Sequence, residues 1–464
     1  MTNYIRTENE ALTYENTGKA CLDLFSKIGA MRGDFRTTIL KEFENAFNEN
    51  PRLATRIAYW ARAAREGSGE RNTFYMILDE IAKCSPAFVS DNARTLAELG
   101  YYKDLLRYFN IPGVVSAFAQ AVREKDRLAC KWAPRKGKNA KLIRDELGFT
   151  NRDYRKWLKK YSETVEQQMS SQEWGGVKYS SVPGAALRRY KDAFTRKDYE
   201  RFEEWKDDKN SKASVSASYP HEVMKVAGDD DKLAQKLWDN LPNFIEGDES
   251  ILPMIDVSGS MHGFPMEVAV ALGLYLSERN NSDFKNRFLS FSSNPQIIKV
   301  DESMTLSEKI YEIMQTDWGM STDFQKAYEL ILDLATTYNV DKNSMPSMLL
   351  VLSDMQFDDS QDSYWGGDKV NTPHFDQIKK SFEKAGYDMP KLVFWNLRAS
   401  FGVPAEHDTD GVAMVSGFSP KIMTAILNTE DFNPMMIMEE ALTPIVLDYT
   451  NLNKELDIDY QREI

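Results

Sequence analysis

Ile251-Leu-Pro-Met-Ile-Asp256-Val-Ser258-Gly-Ser260 is the stretch that decides how the second half of this 464-residue chain folds. Five apolar residues run without interruption into an acid, and a glycine-containing turn follows. A short apolar run closed by a turn is the pattern of a strand buried on both faces. The acid ends the strand, and two hydroxyls two residues apart follow it, so Asp256, Ser258 and Ser260 can point into one concavity at the edge of a sheet. Outward from this stretch, further apolar strands are expected at Arg287–Ser292, Met348–Ser353, Leu392–Leu397 and Val412–Val415. Helical periodicity lies between them near 266–279, 304–315, 322–338, 372–386 and 419–428. Strands alternating with helices predict a mostly parallel, doubly wound α/β domain whose ligands sit at the carboxyl ends of its strands. A last helix is expected at Met435–Leu442.

The first half reads differently. Leu40-Lys-Glu-Phe-Glu-Asn-Ala-Phe, Leu53-Ala-Thr-Arg-Ile-Ala-Tyr-Trp and Thr73-Phe-Tyr-Met-Ile-Leu repeat apolar residues at three- and four-residue spacing, the mark of amphipathic helices. Asn50-Pro51, Ser85-Pro86 and Asn110-Ile-Pro112 are helix starts, and Gly67-Ser-Gly69 is a turn. Residues 1–205 therefore predict a helical array of HEAT type without strands, degenerate in period. The expected domains are a helical array over 1–245, an α/β domain over 246–430, and a helical tail over 431–464 that packs on the core.

Composition narrows the function classes. No run of about 18 apolar residues occurs, which excludes a membrane-spanning helix by sequence, and no secretory signal pattern opens the chain. Cys21, Cys84 and Cys130 are odd in number and widely spaced, which argues against a disulfide framework or zinc site and suits a reducing cytoplasm. The net charge of −13 conceals a division. Residues 1–250 hold 42 Lys+Arg and 38 Asp+Glu, whereas residues 251–464 hold 16 and 33, a net of −17. Residues 101–200 alone carry 22 basic against 12 acidic side chains. A polyanion partner is thereby possible for the first half and disfavoured for the second.

Two more segments bear on the chemistry of the opening stretch. Trp318-Gly-Met-Ser-Thr322 is a glycine turn feeding a helix, and Leu349-Leu-Val-Leu-Ser-Asp354 is an apolar strand ending in an acid. Hydroxyls with one or two carboxylates suit a hard ion such as Mg²⁺ or Mn²⁺, which takes oxygen ligands and keeps several waters. Asp256, Ser258, Ser260, Thr322 and Asp354 are the candidate metal ligands. Enzymatic readings of the same loop lack their parts. A dehalogenase-type phosphatase needs an acid where Ser258 stands, and neither a nucleophile elbow nor a phosphate-cradling P-loop occurs. His221, His262, His374 and His407 show no metal-ligand spacing, and Arg32-Gly33-Asp34 matches an adhesion tripeptide by chance. The chain reads as a binding protein, not an enzyme.

The order and spacing of D-x-S-x-S at 256–260, Thr322 and Asp354 resemble the metal-ion-dependent adhesion site of von Willebrand factor A domains, over roughly residues 247–430. The resemblance implies that the hydroxyls bind the ion directly, that the acids bind it directly or through water, and that a partner's carboxylate completes the shell. In the first half, Tyr59-Trp-Ala-Arg-Ala-Ala-Arg-Glu-Gly-Ser-Gly-Glu-Arg71, Leu99-Gly-Tyr-Tyr-Lys-Asp104, Lys131-Trp-Ala-Pro-Arg135, Tyr154-Arg-Lys-Trp-Leu and Val182-Pro-Gly-Ala-Ala are similar to segments of the Ro autoantigen family and its TROVE module. They are similar also to a TROVE-related family of bacteria, viruses and plants, the nearer of the two. That likeness implies a helical half that holds RNA, either single-stranded ends or structured elements.

The residues support this in part. From Lys131 to Lys160 there are 11 basic and 3 acidic side chains, interleaved with Trp132, Tyr154 and Trp157, and single-strand binding needs both cations and rings. Lys131, Arg135, Lys136, Lys138, Lys141, Arg62, Arg65 and Arg71 are the candidate RNA contacts. At helical spacing Tyr154 and Trp157 suit a core better than an RNA face, and Arg62, Arg65 and Arg71 have Glu66, Glu70 and Asp79 as alternative partners. The competing reading is a Mg²⁺-dependent protein-binding scaffold with no nucleic-acid role, favoured by the overall acidity.

Overall fold

In the computed structural model the described residues are 4–7, 12–245, 247, 249–291, 295–315, 324–356, 374–398, 402–458 and 460. They form a helical array followed by a doubly wound α/β domain. Strands are numbered in chain order: β1 Tyr4–Arg6, β2 Leu12–Tyr14, β3 Ile251–Asp256, β4 Arg287–Phe291, β5 Ile297–Lys299, β6 Met348–Ser353, β7 Lys391–Asn396 and β8 Val412–Ser416.

β3, β4 and β6–β8 are parallel, and the short β5 runs antiparallel beside β4, in the order β5-β4-β3-β6-β7-β8. All six residues of β3 and of β6 are buried, as continuous apolar runs covered by helices on both faces require. The helix Phe264–Arg279 lies directly on β3. A Cβ on its Gly273 would come within 2.3 Å of the Ile255 side chain, so the close approach needs glycine. The five strands expected after residue 250 are present, as are the helices between them. β5 is an addition: three residues give too short an alternation to stand out in the sequence.

Packing divides the chain into two compact units, and not at the positions expected from sequence. One unit joins Met1–Phe35 to Ser218–Thr443, and the other joins Arg36–Ala217 to Pro444–Ile464. The first 35 residues belong to the sheet because they cover its β8 side. β1 and β2 pair as an antiparallel hairpin, with Tyr4 opposite Tyr14, where no strand was expected. Val403 N–H donates to the Tyr14 carbonyl at 2.9 Å. The helix Ala20–Ile28 is pinned to β8 through buried Ser416, whose Oγ donates to the Phe25 carbonyl at 2.8 Å and accepts the Gly29 N–H at 3.0 Å. The expected single tail is likewise divided. Pro434–Leu442 is helical and stays with the sheet unit, whereas the chain beyond it returns to the helices, where Asp448 and Asn92 exchange two hydrogen bonds of 2.8 Å.

The helical unit starts its helices where the sequence marks them, at Pro51, Pro86 and Pro112. Asn50 caps the first of these, accepting the Leu53 N–H at 3.1 Å. Phe43, Phe47, Tyr59, Phe74 and Phe88 fill its interior, with Tyr59 edge-on to Phe74 at 5.3 Å. Among the described residues no helix is long and apolar enough to cross a membrane.

Ser416→Ala removes both bonds from a buried position. It is expected to destabilise the sheet unit by about 1–3 kcal/mol, the usual cost of stranding buried polar groups, as a lower midpoint in urea unfolding.

Candidate functional site

Parallel pairing of β3 with β6 places Ile255 opposite Leu352, so the ends of the two strands lie side by side. On one side of β3 the chain order runs to β4 and on the other to β6. The gap between β3 and β6 is therefore the topological switch point where doubly wound sheets leave a crevice for ligands. Asp256 closes β3 and Asp354 follows β6, and both are buried, at 0% and 2% exposure.

Local hydrogen bonds fix the loops. Asp256 Oδ1 accepts the Ser258 N–H at 2.9 Å, and its Oδ2 accepts the Ser353 hydroxyl at 2.5 Å. Ser258 Oγ and Ser260 Oγ are 3.1 Å apart. Beyond them a single 3-10 turn, Gly259–Met261, leads to Gly263, whose φ of 91° lets the chain enter the long helix. After β6, Met355 takes a left-handed φ of 63°, unusual for a residue with a side chain. Its N–H meets Ser353 Oγ at 3.0 Å, and the Gln356 N–H meets Asp354 Oδ1 at 3.2 Å.

Burial, with the nearby Asp354 carboxylate second, pushes Asp256 up to about 7, against the downward pull of the Ser353 and Ser258 hydrogen bonds. Two buried acids with hydroxyls beside them are a poor arrangement for the protein alone and a good one for a small hard cation. No three His, Cys, Asp or Glu side chains gather as a metal cluster among the described residues. Asp256, Ser258, Ser260 and Asp354 fit Mg²⁺. Thr322, with 318–321, lies outside the described residues. His262 is exposed next to the serine turn, and His221 is buried between Phe264 and Phe418. Arg398, not singled out from sequence, donates from Nη1 to the Ser260 carbonyl at 2.6 Å.

In the helical unit the candidate RNA contacts separate. Arg62 has to be withdrawn: it is 1% exposed, and its Nε and Nη2 both reach Asp104 Oδ2, at 2.8 and 2.5 Å. Tyr75 OH donates to the other oxygen of Asp104 at 2.6 Å, and the Tyr101 N–H meets Oδ2 at 3.1 Å. Neither this partner nor the burial was legible, because Asp104 is 42 residues away and outside any helical spacing. Asp79, the alternative considered for these arginines, pairs instead with Arg107.

Arg65, Arg71, Arg135, Lys136, Lys138 and Lys141 are exposed. Lys141 carries an exposed ion pair to Asp145 at 2.6 Å, and Lys131 lies 3.4 Å from Glu166. Arg71 and Lys131 meet on one pair of rings. Tyr101, 37% exposed, and half-buried Trp132 lie 6.3 Å apart between centroids. Arg71 stands 5.5 Å over Tyr101, while Lys131 and Lys103 stand 5.6 and 5.8 Å over Trp132. Tyr154 is core, 1% exposed, with its hydroxyl on the Pro134 carbonyl. Trp157 is half-buried and donates to the Val122 carbonyl at 2.9 Å.

A family model described as a domain of unknown function, DUF2828, matches residues 7–112 and 110–244, together more than half of the chain. A second such model, DUF7788, matches residues 250–453. The uncharacterized protein L728 of Acanthamoeba polyphaga mimivirus is 28% identical, over 98% of this chain and 90% of its own length. The crystal structure of the Ro (RSR) protein of Deinococcus radiodurans aligns with 90% of this chain and 93% of its own at 13% identity and a TM-score of 0.38, too loose a superposition to match residues.

Two outcomes are expected. At Mg²⁺ a hundredfold above its Kd, the wild-type melting temperature should rise by about 5–10 °C, from about 2.7 kcal/mol of linkage at about 2–4 °C per kcal/mol; Asp256→Ala should abolish the rise in a thermal-shift titration. Asp104→Ala leaves Arg62 buried without its counter-ion and should cost about 3–5 kcal/mol in chemical denaturation.

Proposed function

This chain belongs to the DUF2828 family, and from that premise we propose that it is a Ro-like RNA-binding protein whose α/β domain is a von Willebrand A-type adhesion module. The helical unit takes single-stranded or structured RNA on its cationic face. The module holds Mg²⁺ or Mn²⁺ between Asp256, Ser258, Ser260, Asp354 and Thr322, and offers it to an acidic group of a protein partner. The proposal contains no catalysed reaction, and it places the protein in the cytoplasm.

One observation supports the RNA reading most: Arg71 and Lys131, sixty residues apart in sequence, flank the rings of Tyr101 and Trp132. Rings offer stacking faces to unpaired bases of any identity, and the cations beside them meet phosphates. Exposed Arg135, Lys136 and Lys138 extend the charge from Lys131. For the module, the supporting observation is the pair of buried carboxylates at the switch point.

A scaffold without a nucleic-acid role draws on the same structure. Arg62 serves the fold, and Lys131 and Lys141 face acids already, so fewer cations than the sequence offers are available to phosphates.

Fluorescence polarisation with a labelled uridine oligomer and an RNA hairpin decides between them. RNA binding should weaken steeply with salt, with a slope of about 0.7 per phosphate contact for a single strand. Trp132→Ala should cost about 1–3 kcal/mol per stacked base, roughly 5- to 150-fold in Kd. Charge reversal at Arg135, Lys136 and Lys138 should weaken all sequences alike. No RNA affinity at low salt, with partners in pull-downs indifferent to RNase and lost in EDTA, would establish the scaffold instead.

A further inference from the structure

At the amino end of the sheet, away from the crevice of Asp256 and Asp354, the described residues line a second cavity, of about 590 Å³. Asn280 Nδ2 donates to the carbonyl of Ile251, the first residue of β3, so the helix Phe264–Arg279 ends where that strand begins. Asp256 closes the same strand, five steps of about 3.3 Å further on. The walls come from the end of this helix, the helix Asp231–Asp239, Asn286 just before β4, and the helix Leu306–Gln315. The volume falls within the ~300–1,000 Å³ of small-molecule sites.

The fold uses one wall residue, Arg279, only in part. Its side chain is 13% exposed and stands 4.1 Å over the Tyr275 ring. Nη2 donates to the Trp238 carbonyl at 3.0 Å and Nη1 to the Tyr275 carbonyl at 3.5 Å, two of its five N–H groups. The acid beside it, Glu278, is engaged elsewhere. Glu278 Oε1 accepts from Lys309 Nζ at 2.8 Å and Oε2 from Trp238 Nε1 at 2.6 Å, while Oε2 lies 3.6 Å from Arg279 Nη1, too far for a hydrogen bond. Two buried cations thus share one carboxylate, and a cation taken out of water without its own counter-ion is costly. Burial accordingly depresses Arg279 below the ordinary arginine value, against the pull of Tyr275, Glu278 and Asp239.

Asn286 supplies an independent signal. It is 7% exposed, with a left-handed φ of 57°, and its backbone is bonded to Ser277 and Val300 at 2.9 Å each. Its side-chain amide lines the cavity and has no hydrogen-bond partner among the described residues. Buried amides are ordinarily bonded, so this one offers a donor and an acceptor to an occupant. At the mouth the charge reverses: Asp239 and Glu302 are exposed, the second paired with Lys285 at 2.7 Å. Cations inside and acids outside suit one negative charge and oppose two.

We propose that this cavity binds a small monocarboxylate that carries a second polar group, with the carboxylate on Arg279 and Lys309 and the polar group on the Asn286 amide. A guanidinium fork matches the two coplanar oxygens of a carboxylate. The site depends on neither the metal nor the RNA reading.

The test is titration calorimetry with N-acetylglycine and the bulkier hippurate, in EDTA so that no divalent ion occupies the other end of the sheet. Neutral N-acetylglycinamide, succinate and inorganic phosphate are titrated beside them. Wild type should bind the two acids, ignore the neutral amide, and take the dianions more weakly. Arg279→Gln should weaken the acids about tenfold or more, the usual weight of a hydrogen bond to a charged group. Arg279→Lys should recover part of the loss, since a point charge cannot fork. Asn286→Gly, which tolerates the left-handed backbone, should weaken N-acetylglycine several-fold.

If wild type binds neither acid, or binds the neutral amide equally well, the site is refuted. Unchanged affinity in Arg279→Gln refutes it too, because an arginine that only braces the helix end would not separate acid from amide. Tighter binding of phosphate or succinate overturns the monocarboxylate assignment. Should Arg279→Gln fail to fold, Asn286→Gly decides, and unchanged affinity there refutes the proposal.

Discussion

Parallel pairing of β3 with β6 brings two acids to one place, and much of the sheet unit is arranged around that confrontation. Asp256 and Asp354 end neighbouring strands at the point where the chain order reverses, buried from water that would otherwise screen them. Hydrogen bonds from Ser258 and Ser353 relieve Asp256 in part, yet its carboxyl still stands near 7. The left-handed φ of Met355, one residue after Asp354, is a local conformational cost beside this crevice. A structure serving only stability would gain from apolar residues at both positions.

The helical unit solves a related problem with opposite means. Arg62 and Asp104 bury opposite charges, and Tyr75 and the Tyr101 backbone supply further hydrogen bonds. The pair braces the helix Pro51–Arg62 against the turn at Tyr101, the same tyrosine whose ring is flanked by Arg71. A folding interaction thus presents a surface one. The Tyr101 ring has the buried Arg62 at 5.1 Å and the exposed Arg71 at 5.5 Å from its centroid, with Trp132 beside it.

Much of this was legible along the chain. Asp256 and Asp354 announce themselves because each follows an apolar run, with Ser258 and Ser260 in the turn after the first, and hydrophobic periodicity is local. Helix starts at Pro51, Pro86 and Pro112 follow from proline chemistry alone. The fate of Arg62 was not legible, since its partner lies in another helix, and a buried arginine has the same letter as an exposed one. Arg398 was missed for a similar reason: it follows a strand without a recognisable motif, and only the order of strands in the sheet brings it to Ser260. The hairpin Tyr4–Arg6 with Leu12–Tyr14 escaped notice because three-residue strands are shorter than any reliable alternation.

By itself, then, the sequence determined the two architectures, the strands after residue 250, the helix starts in the first half and the oxygen-bearing residues at the strand ends. These depend on interactions a few residues long: hydrophobic period, backbone restriction at proline, and turn chemistry. The tertiary structure alone decided which acid neutralises which base, that the first 35 residues cover the sheet and the last 21 return to the helices, and that Tyr101, Trp132, Arg71 and Lys131 share one face. Those outcomes depend on which segments distant in the chain become neighbours, and charge and burial take their values only once that choice has been made.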